Sequence, residues 1–210
     1  MFISFEGIDG SGKSTQAKLL VEKLRSHNYK VEFLREPGGT EISERIREIL
    51  LDKKSLKMTT IAELLLFSAS RSQLVSEVII PALSNNIIII CDRFVDSTTV
   101  YQGYGRGIDM KAIQAINSAA TLGVMPHCTF LIDVSLDEIF SKRNKNNIHE
   151  NDRMENSGRE FYEKVQKGYK ILAEQEKNRF VVIDGEQSIE TIHQKIWEIV
   201  QKQLAMDNLK

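Results

Sequence analysis

Cysteine, proline and tryptophan are scarce here: the 210 residues hold two Cys, three Pro and one Trp. Cys91 and Cys128 each adjoin an apolar run, where a small thiol packs as a hydrophobe. No CxxC pair and no Cys/His cluster with zinc spacing is visible, which excludes a zinc ribbon and a disulfide scaffold. A chain of this length buries a core large enough to fold without either staple. Charge of one sign is equally lacking: 28 Lys and Arg face 29 Asp and Glu, for a net charge of −1. A protein that coats nucleic acid carries a basic excess, so any anion bound here must be met by a local cluster. Long hydrophobic runs are missing as well. The longest, Ile87 to Cys91, is far too short to span a bilayer. The first residues, Met1 to Glu6, carry no basic region followed by a long apolar stretch, so no signal peptide is expected. With 41% hydrophobic and 27% charged residues, the composition is that of an ordinary globular chain, and a soluble cytoplasmic protein is expected.

What is present is an alternation of short apolar runs with longer amphipathic segments. Strands are expected at Phe2–Glu6, Val31–Arg35, Ile87–Cys91, Thr129–Asp133 and Phe180–Ile183. Four of the five are nearly continuous apolar runs, the pattern of parallel strands covered on both faces. Ala17, Leu20, Val21 and Leu24 share one face of a first helix; Ile189, Ile192, Ile196 and Ile199 share one face of a last. Capping boxes are read at Thr60 with Glu63, Ser135 with Glu138 and Ser157 with Glu160. Such alternation implies right-handed crossovers and a doubly wound α/β fold with a five-stranded parallel sheet. No linker or repeat divides the chain, so residues 1–210 are expected to form a single domain. The segment from Arg143 to Ser157 stands apart, with five Asn among its fifteen residues, and reads as a surface loop.

Gly7-Ile8-Asp9-Gly10-Ser11-Gly12-Lys13-Ser14 matches GxxxxGK[ST], directly after a predicted strand and at the opening of a predicted helix. This is the context that a phosphate-binding P-loop requires. Glycines let the backbone close around phosphate oxygens with its N–H groups pointing inward, and the helix N-terminus adds partial positive charge. Lys13 reaches β- and γ-phosphates in such loops, and the Ser14 hydroxyl ligates Mg²⁺. A dinucleotide fingerprint would leave Lys13 and Ser14 unexplained. Asn144-Lys145-Asn146-Asn147 lacks the carboxylate of guanine readers. An ATP-using kinase or ATPase is left.

Asp92 is expected at the carboxyl end of a buried strand, where a second carboxylate approaches Mg²⁺. Arg93 follows it, suited to gripping a second phosphate with a bidentate fork. Two phosphate grips favour phosphoryl transfer to a phosphate over hydrolysis. The acceptor oxygen of a nucleoside monophosphate is already anionic, so catalysis rests on alignment and charge neutralisation. Cations should then converge on the transferred group under a closing loop. The polar segment over about 143–157, with Lys142, Arg143, Lys145 and Arg153, suits that lid role. A deoxynucleoside kinase, acting on a neutral hydroxyl, would need a carboxylate base such as Glu36 or Asp9 and would leave Arg93 without a phosphate. A nucleotide-switched binding protein would have no use for the acceptor grip.

The blocks FEGIDGSGKST (Phe5 to Thr15), REPGGT (Arg35 to Thr40), DRF (Asp92 to Phe94), YQGYGRG (Tyr101 to Gly107) and DRME (Asp152 to Glu155) stand in the order found in the bacterial thymidylate kinases. The chain resembles that family of P-loop nucleoside monophosphate kinases from Phe2 to about the last helix. The resemblance implies ATP- and Mg²⁺-dependent phosphorylation of dTMP to dTDP for dTTP synthesis, in a cytoplasmic homodimer that binds neither nucleic acid nor membrane. It implies ATP binding along Gly7, Ile8, Asp9, Gly10, Ser11, Gly12, Lys13, Ser14 and Thr15, with Ser14 and Asp92 at the metal. Asp9 resembles the carboxylate that meets the sugar 3′-OH, and Arg93 the arginine on the acceptor phosphate, with Arg35 as a second candidate. Phe67 and Arg71 resemble the pair that stacks on thymine and bonds its O4. Thr98 and Gln102 match positions facing the base, and Tyr101 the aromatic under the deoxyribose. Gly10 and Ser11 supply no cation in the P-loop, so the lid is expected to supply one: Arg153 first, Arg143 second.

Overall fold

The computed structural model describes residues 1–145, 153 and 157–207, with side chains in the helices left out at 142–145 and 206–207. Most of the expected lid, and the Arg143 side chain with it, lies outside the described residues. The strands are β1 Phe2–Glu6, β2 Val31–Arg35, β3 Ile88–Asp92, β4 Cys128–Asp133 and β5 Phe180–Asp184. They form one parallel sheet in the order β2-β3-β1-β4-β5. β3 runs one residue later than expected and takes in Asp92, because Asp92 pairs with both Phe5 and Arg35 in register.

Helices α1 Lys13–Ser26, α2 Glu41–Leu51 and α3 Thr60–Leu74 come first. α3 runs through a π-helical stretch, Val75–Ile79, into α4 Ile80–Ser84. α5 Val95–Thr98 likewise continues as a π-helical segment, Thr99–Gly105; α6 Met110–Thr121, α7 Leu136–Lys145, α8 Arg159–Gln175 and α9 Ile189–Asp207 follow. No described helix is long and apolar enough to cross a membrane.

Alternate residues of the central strands feed two cores, as the period of two demands. Ile3, Phe5, Ile88 and Ile90 join the larger core with α1, α8 and α9. Phe2, Ile89 and Cys91 join the smaller one with Leu74, Val75 and Ile79 from the α3 side. Burial of such a side chain stabilises the fold by about 1.5–3 kcal/mol. The expected face of α1 is buried throughout. In α9 the buried row is Ile192, Ile196 and Val200, while Ile189, at the first helical position, is 52% exposed. Ile189 therefore stands clear of the row in which it was placed.

Two capping boxes shift. Thr59, not Thr60, caps α3 by accepting from Ala62 N at 3.3 Å. Glu63 is thereby released from capping and turns inward, only 2% exposed. α8 starts after Gly158 without a side-chain cap, so Ser157 does not serve there. The Ser135 cap stands, with Glu138 N donating to Ser135 Oγ at 3.4 Å.

A buried ion pair ties α5 to the residue that precedes β5. Arg179 donates to both Asp96 oxygens, at 2.6 and 2.8 Å, and to Thr129 Oγ1 at 2.7 Å. Asp96 is 2% exposed, so removing its partner leaves an uncompensated charge in the core. Arg179→Ala is expected to cost about 3–5 kcal/mol, measured as a fall in the urea midpoint. A loss below about 1 kcal/mol would mean that water or another cation satisfies Asp96.

Candidate active site

The order in which strands are added reverses at β1, with β2 and β3 on one side and β4 and β5 on the other, and the carboxyl ends of β1 and β3 lie side by side, at the crevice where open α/β sheets bind ligands. The loop after β1 takes the form its glycines permit. Gly7 has φ 142°, and a Cβ there would lie 2.6 Å from Ile132 O. Gly12, at φ 90°, caps α1 without a side-chain bond. That leaves the first N–H groups of α1 available to a phosphate. The first turn of α1 holds no acidic residue. It opens instead with Lys13, against the dipole preference for anions at this end.

Lys13 is 6% exposed, 3.8 Å from the Asp9 carboxylate. Burial, with Arg93 nearby, lowers its affinity for a proton below that of an ordinary lysine. Arg93 follows β3 in the left-handed region, at φ 70°, a conformation that costs a non-glycine residue on the order of 1–3 kcal/mol. Its Nη2 meets Asp9 Oδ1 at 2.5 Å and Tyr101 OH at 3.3 Å, and its Nη1 meets Ser97 Oγ at 3.1 Å. Tyr101 donates to Asp9 Oδ2 at 3.0 Å. Burial opposes ionisation of Asp9, but Arg93 and Lys13 hold its carboxyl well below the usual range.

These groups line one cavity of about 210 Å³ with Ser14, Arg35, Phe67, Arg71, Asp92, Thr98 and Gln102. The expected phosphate, acceptor and base residues are thus brought together from five separate stretches of chain. Arg71 is buried, with Nη1 on Thr98 Oγ1 at 2.8 Å and Nη2 on Glu36 Oε2 at 2.6 Å. Burial pushes Glu36 up, to about 7, against the pull of Arg71. Arg35 reaches the cavity wall but spends its guanidinium on Glu44, at 2.9 Å, and the Pro37 carbonyl. Arg153 stands elsewhere: it is not a lining residue of this cavity. Its Nη1 is 2.6 Å from Glu63 Oε2 and its Nε 2.8 Å from Leu50 O.

Several site residues escaped the sequence reading. Glu6, the last residue of β1, accepts from Phe94 N, Ser97 Oγ and Tyr169 OH at 2.8, 2.6 and 2.7 Å, and so ties the P-loop strand to the start of α5. Burial and the nearby Asp96 raise its pKa. Tyr162 places its OH 3.3 Å from Asp9 Oδ2. Tyr162 and Tyr169, seven apart, share a face of α8, and that spacing was the available signal. Arg47 adds a cation to the cavity wall, donating to the Pro37 carbonyl at 3.0 Å.

Comparison with known proteins gives the same assignment. The family described as Thymidylate kinase matches residues 5–196. The chain belongs to the thymidylate kinase family. It is 45% identical over 203 residues to the thymidylate kinase of Thermoanaerobacter sp. (strain X514), covering 97% of this chain and 98% of that one. Identity to the thymidylate kinase of Prosthecochloris aestuarii is 48% over 207 residues, covering 95% and 92%. The crystal structure of thymidylate kinase from Ehrlichia chaffeensis superposes with a TM-score of 0.76 at 37% identity, over 95% of this chain and 98% of that one. The family's fold is the parallel, helix-flanked sheet described above.

Proposed function

We propose that the protein transfers the γ-phosphoryl group of ATP to the phosphate of dTMP, giving dTDP and ADP. The observation that carries this reading is the junction of two phosphate grips in one cavity, Lys13 on the P-loop and the Arg93 fork across from it. Membership of the family supports the choice of ATP and dTMP. An oxygen of the dTMP phosphate attacks the γ-phosphorus in line, and the bond from that phosphorus to the β,γ-bridging oxygen breaks. That attacking oxygen is anionic at neutral pH, so no base is needed. Lys13 neutralises charge on the transferred group, and Arg93 and Asp9 orient the acceptor. The acceptor phosphate takes over donors of Arg93 that Asp9 and Ser97 hold here.

Asp92 Oδ1 is buried and has no hydrogen-bond partner among the described residues, and it shares the cavity with Ser14. An orphaned carboxylate oxygen beside a hydroxyl fits Mg²⁺, which Ser14 and Asp92 would hold. Such an ion screens the β- and γ-phosphate charge when bound. Phe67 and Arg71 are the proposed base contacts, Thr98 and Gln102 their neighbours, and Tyr101 the floor of the sugar site. A single domain, with a lid over 143–157 carrying Arg143 and Arg153, belongs to the same reading. So does a homodimer, for which the half-exposed Ile42, Ile49, Ile61 and Leu65 on α2 and α3 offer apolar surface.

ADP formation from ATP and Mg²⁺ should depend on dTMP and be nearly absent with thymidine, dCMP or no acceptor. ADP release independent of acceptor would overturn the transfer reading.

A further inference from the structure

We infer that Glu63 is a positioning residue for base selection: it fixes which end of the Gln102 amide faces the nucleotide. The inference rests on the proposed use of dTMP. Glu63 lies behind the cavity wall, 2% exposed, on the first turn of α3. Gln102 Nε2 donates to Glu63 Oε1 at 2.9 Å, and Gln102 itself lines the cavity. An ionised carboxylate only accepts, so it can hold the amide by its NH₂ end but not by its carbonyl. Three cations and donors keep it ionised. Arg106 reaches it at 3.2 and 3.3 Å, and Arg153 at 2.6 Å. Although burial opposes ionisation, the bonds from Gln102 and Arg106 hold its carboxyl below the usual range.

With Nε2 taken, the carbonyl of Gln102 is the group left for the ligand, and Gln102 Oε1 has no partner among the described residues. A fixed acceptor there suits a base that presents an N–H donor, as thymine does at N3. It repels cytosine, whose N3 is an acceptor. Arg71, a pure donor on the same wall, adds to the bias by favouring a carbonyl over an amino group. Glu63 therefore enforces base choice without touching the base. Because Arg153 sits on the second oxygen of the same carboxylate, the seat of this arginine and the reading of the base share one group.

The test is Glu63→Gln, whose amide can accept from Arg106 and Arg153 yet donate to Gln102 and so permit the flipped orientation. The ratio of kcat/KM for dTMP over dCMP is expected to fall at least about tenfold, the worth of one hydrogen bond exchanged for a clash, with KM for ATP unchanged. Glu63→Asp, which keeps an acceptor-only group, should retain the wild-type ratio at reduced overall rate. Equal losses for both nucleotides in Glu63→Gln, or an unchanged ratio, overturn the inference. Should Glu63→Gln not fold, dTMP methylated at N3 decides on the unaltered protein: it is expected to bind at least about tenfold more weakly than dTMP, and equal binding overturns the inference. Failure of the unaltered protein to use dTMP would instead overturn the proposed function.

Discussion

Replacing Lys13 by alanine is expected to lower turnover by about 10²–10³-fold, the usual effect of removing one preorganised transition-state donor. The fold should tolerate the change. Lys13 is buried at the cost of its hydration and lies 3.8 Å from Asp9, so truncation removes a desolvation penalty together with a modest attraction. The thermal midpoint is expected to move by no more than about 4 °C. Single-turnover assays with saturating ATP and dTMP, beside calorimetry, check both halves. Near-normal turnover would remove Lys13, and with it the P-loop, from the chemistry.

Arg93→Ala should have the second large effect, and on the other substrate. Its loss removes the fork proposed for the acceptor phosphate and leaves Asp9 without its closest cation. We expect kcat/KM for dTMP to drop from roughly 30-fold to several thousand-fold, the range for truncating a desolvated charge pair, while the affinity for ATP is nearly unchanged. Arg93→Lys should recover only part of the loss, because an ammonium cannot span two oxygens as the guanidinium does. Equal losses for both nucleotides would contradict the assignment. A pH signature accompanies it. Asp9 is held well below the usual carboxylate range, so its stabilising contribution is present above about pH 4, its unfolded value. That contribution fades as pH falls from there toward the depressed folded value. In Arg93→Ala the nearest cation opposing the effect of burial is gone, so the folded value rises and the acid unfolding midpoint should move to higher pH.

The sequence reading succeeded where the signal is local and succeeds or fails by residue type. The P-loop needs small residues at Gly7 and Gly12 for reasons of backbone geometry alone, and both stand in positive φ. β1, covered on both faces, shows as a nearly unbroken apolar run; β2, whose Glu32 is exposed, does not, yet both have the expected bounds and the other strands fall within one residue of theirs. The capping box at Thr60 failed because Thr59 and Thr60 are chemically equivalent neighbours. Which of them caps depends on where the chain enters α3, and Thr59 takes the extended conformation there. The Ser157 box failed likewise, since Gly158 occupies the cap position. Ile189 was placed by periodicity on a face that only begins a turn later.

Partners across the fold were out of reach for a different reason. Glu63 looked like half of a capping box, yet it meets Gln102, 39 residues on, and Arg153, 90 residues on. The hydroxyls of Tyr162 and Tyr169, on one face of α8, end on Asp9 and Glu6, more than 150 residues away. Residue type and spacing by themselves determined the strand–helix alternation and the glycine-rich loop after β1, because each follows from backbone sterics or periodicity. The tertiary structure alone decided how those pieces are wired: which oxygen of Asp9 faces Arg93, which end of the Gln102 amide is pinned, and where Arg153 is seated. Those outcomes depend on hydrogen-bond direction and charge balance between segments that only the packed sheet brings within 3 Å or so of one another.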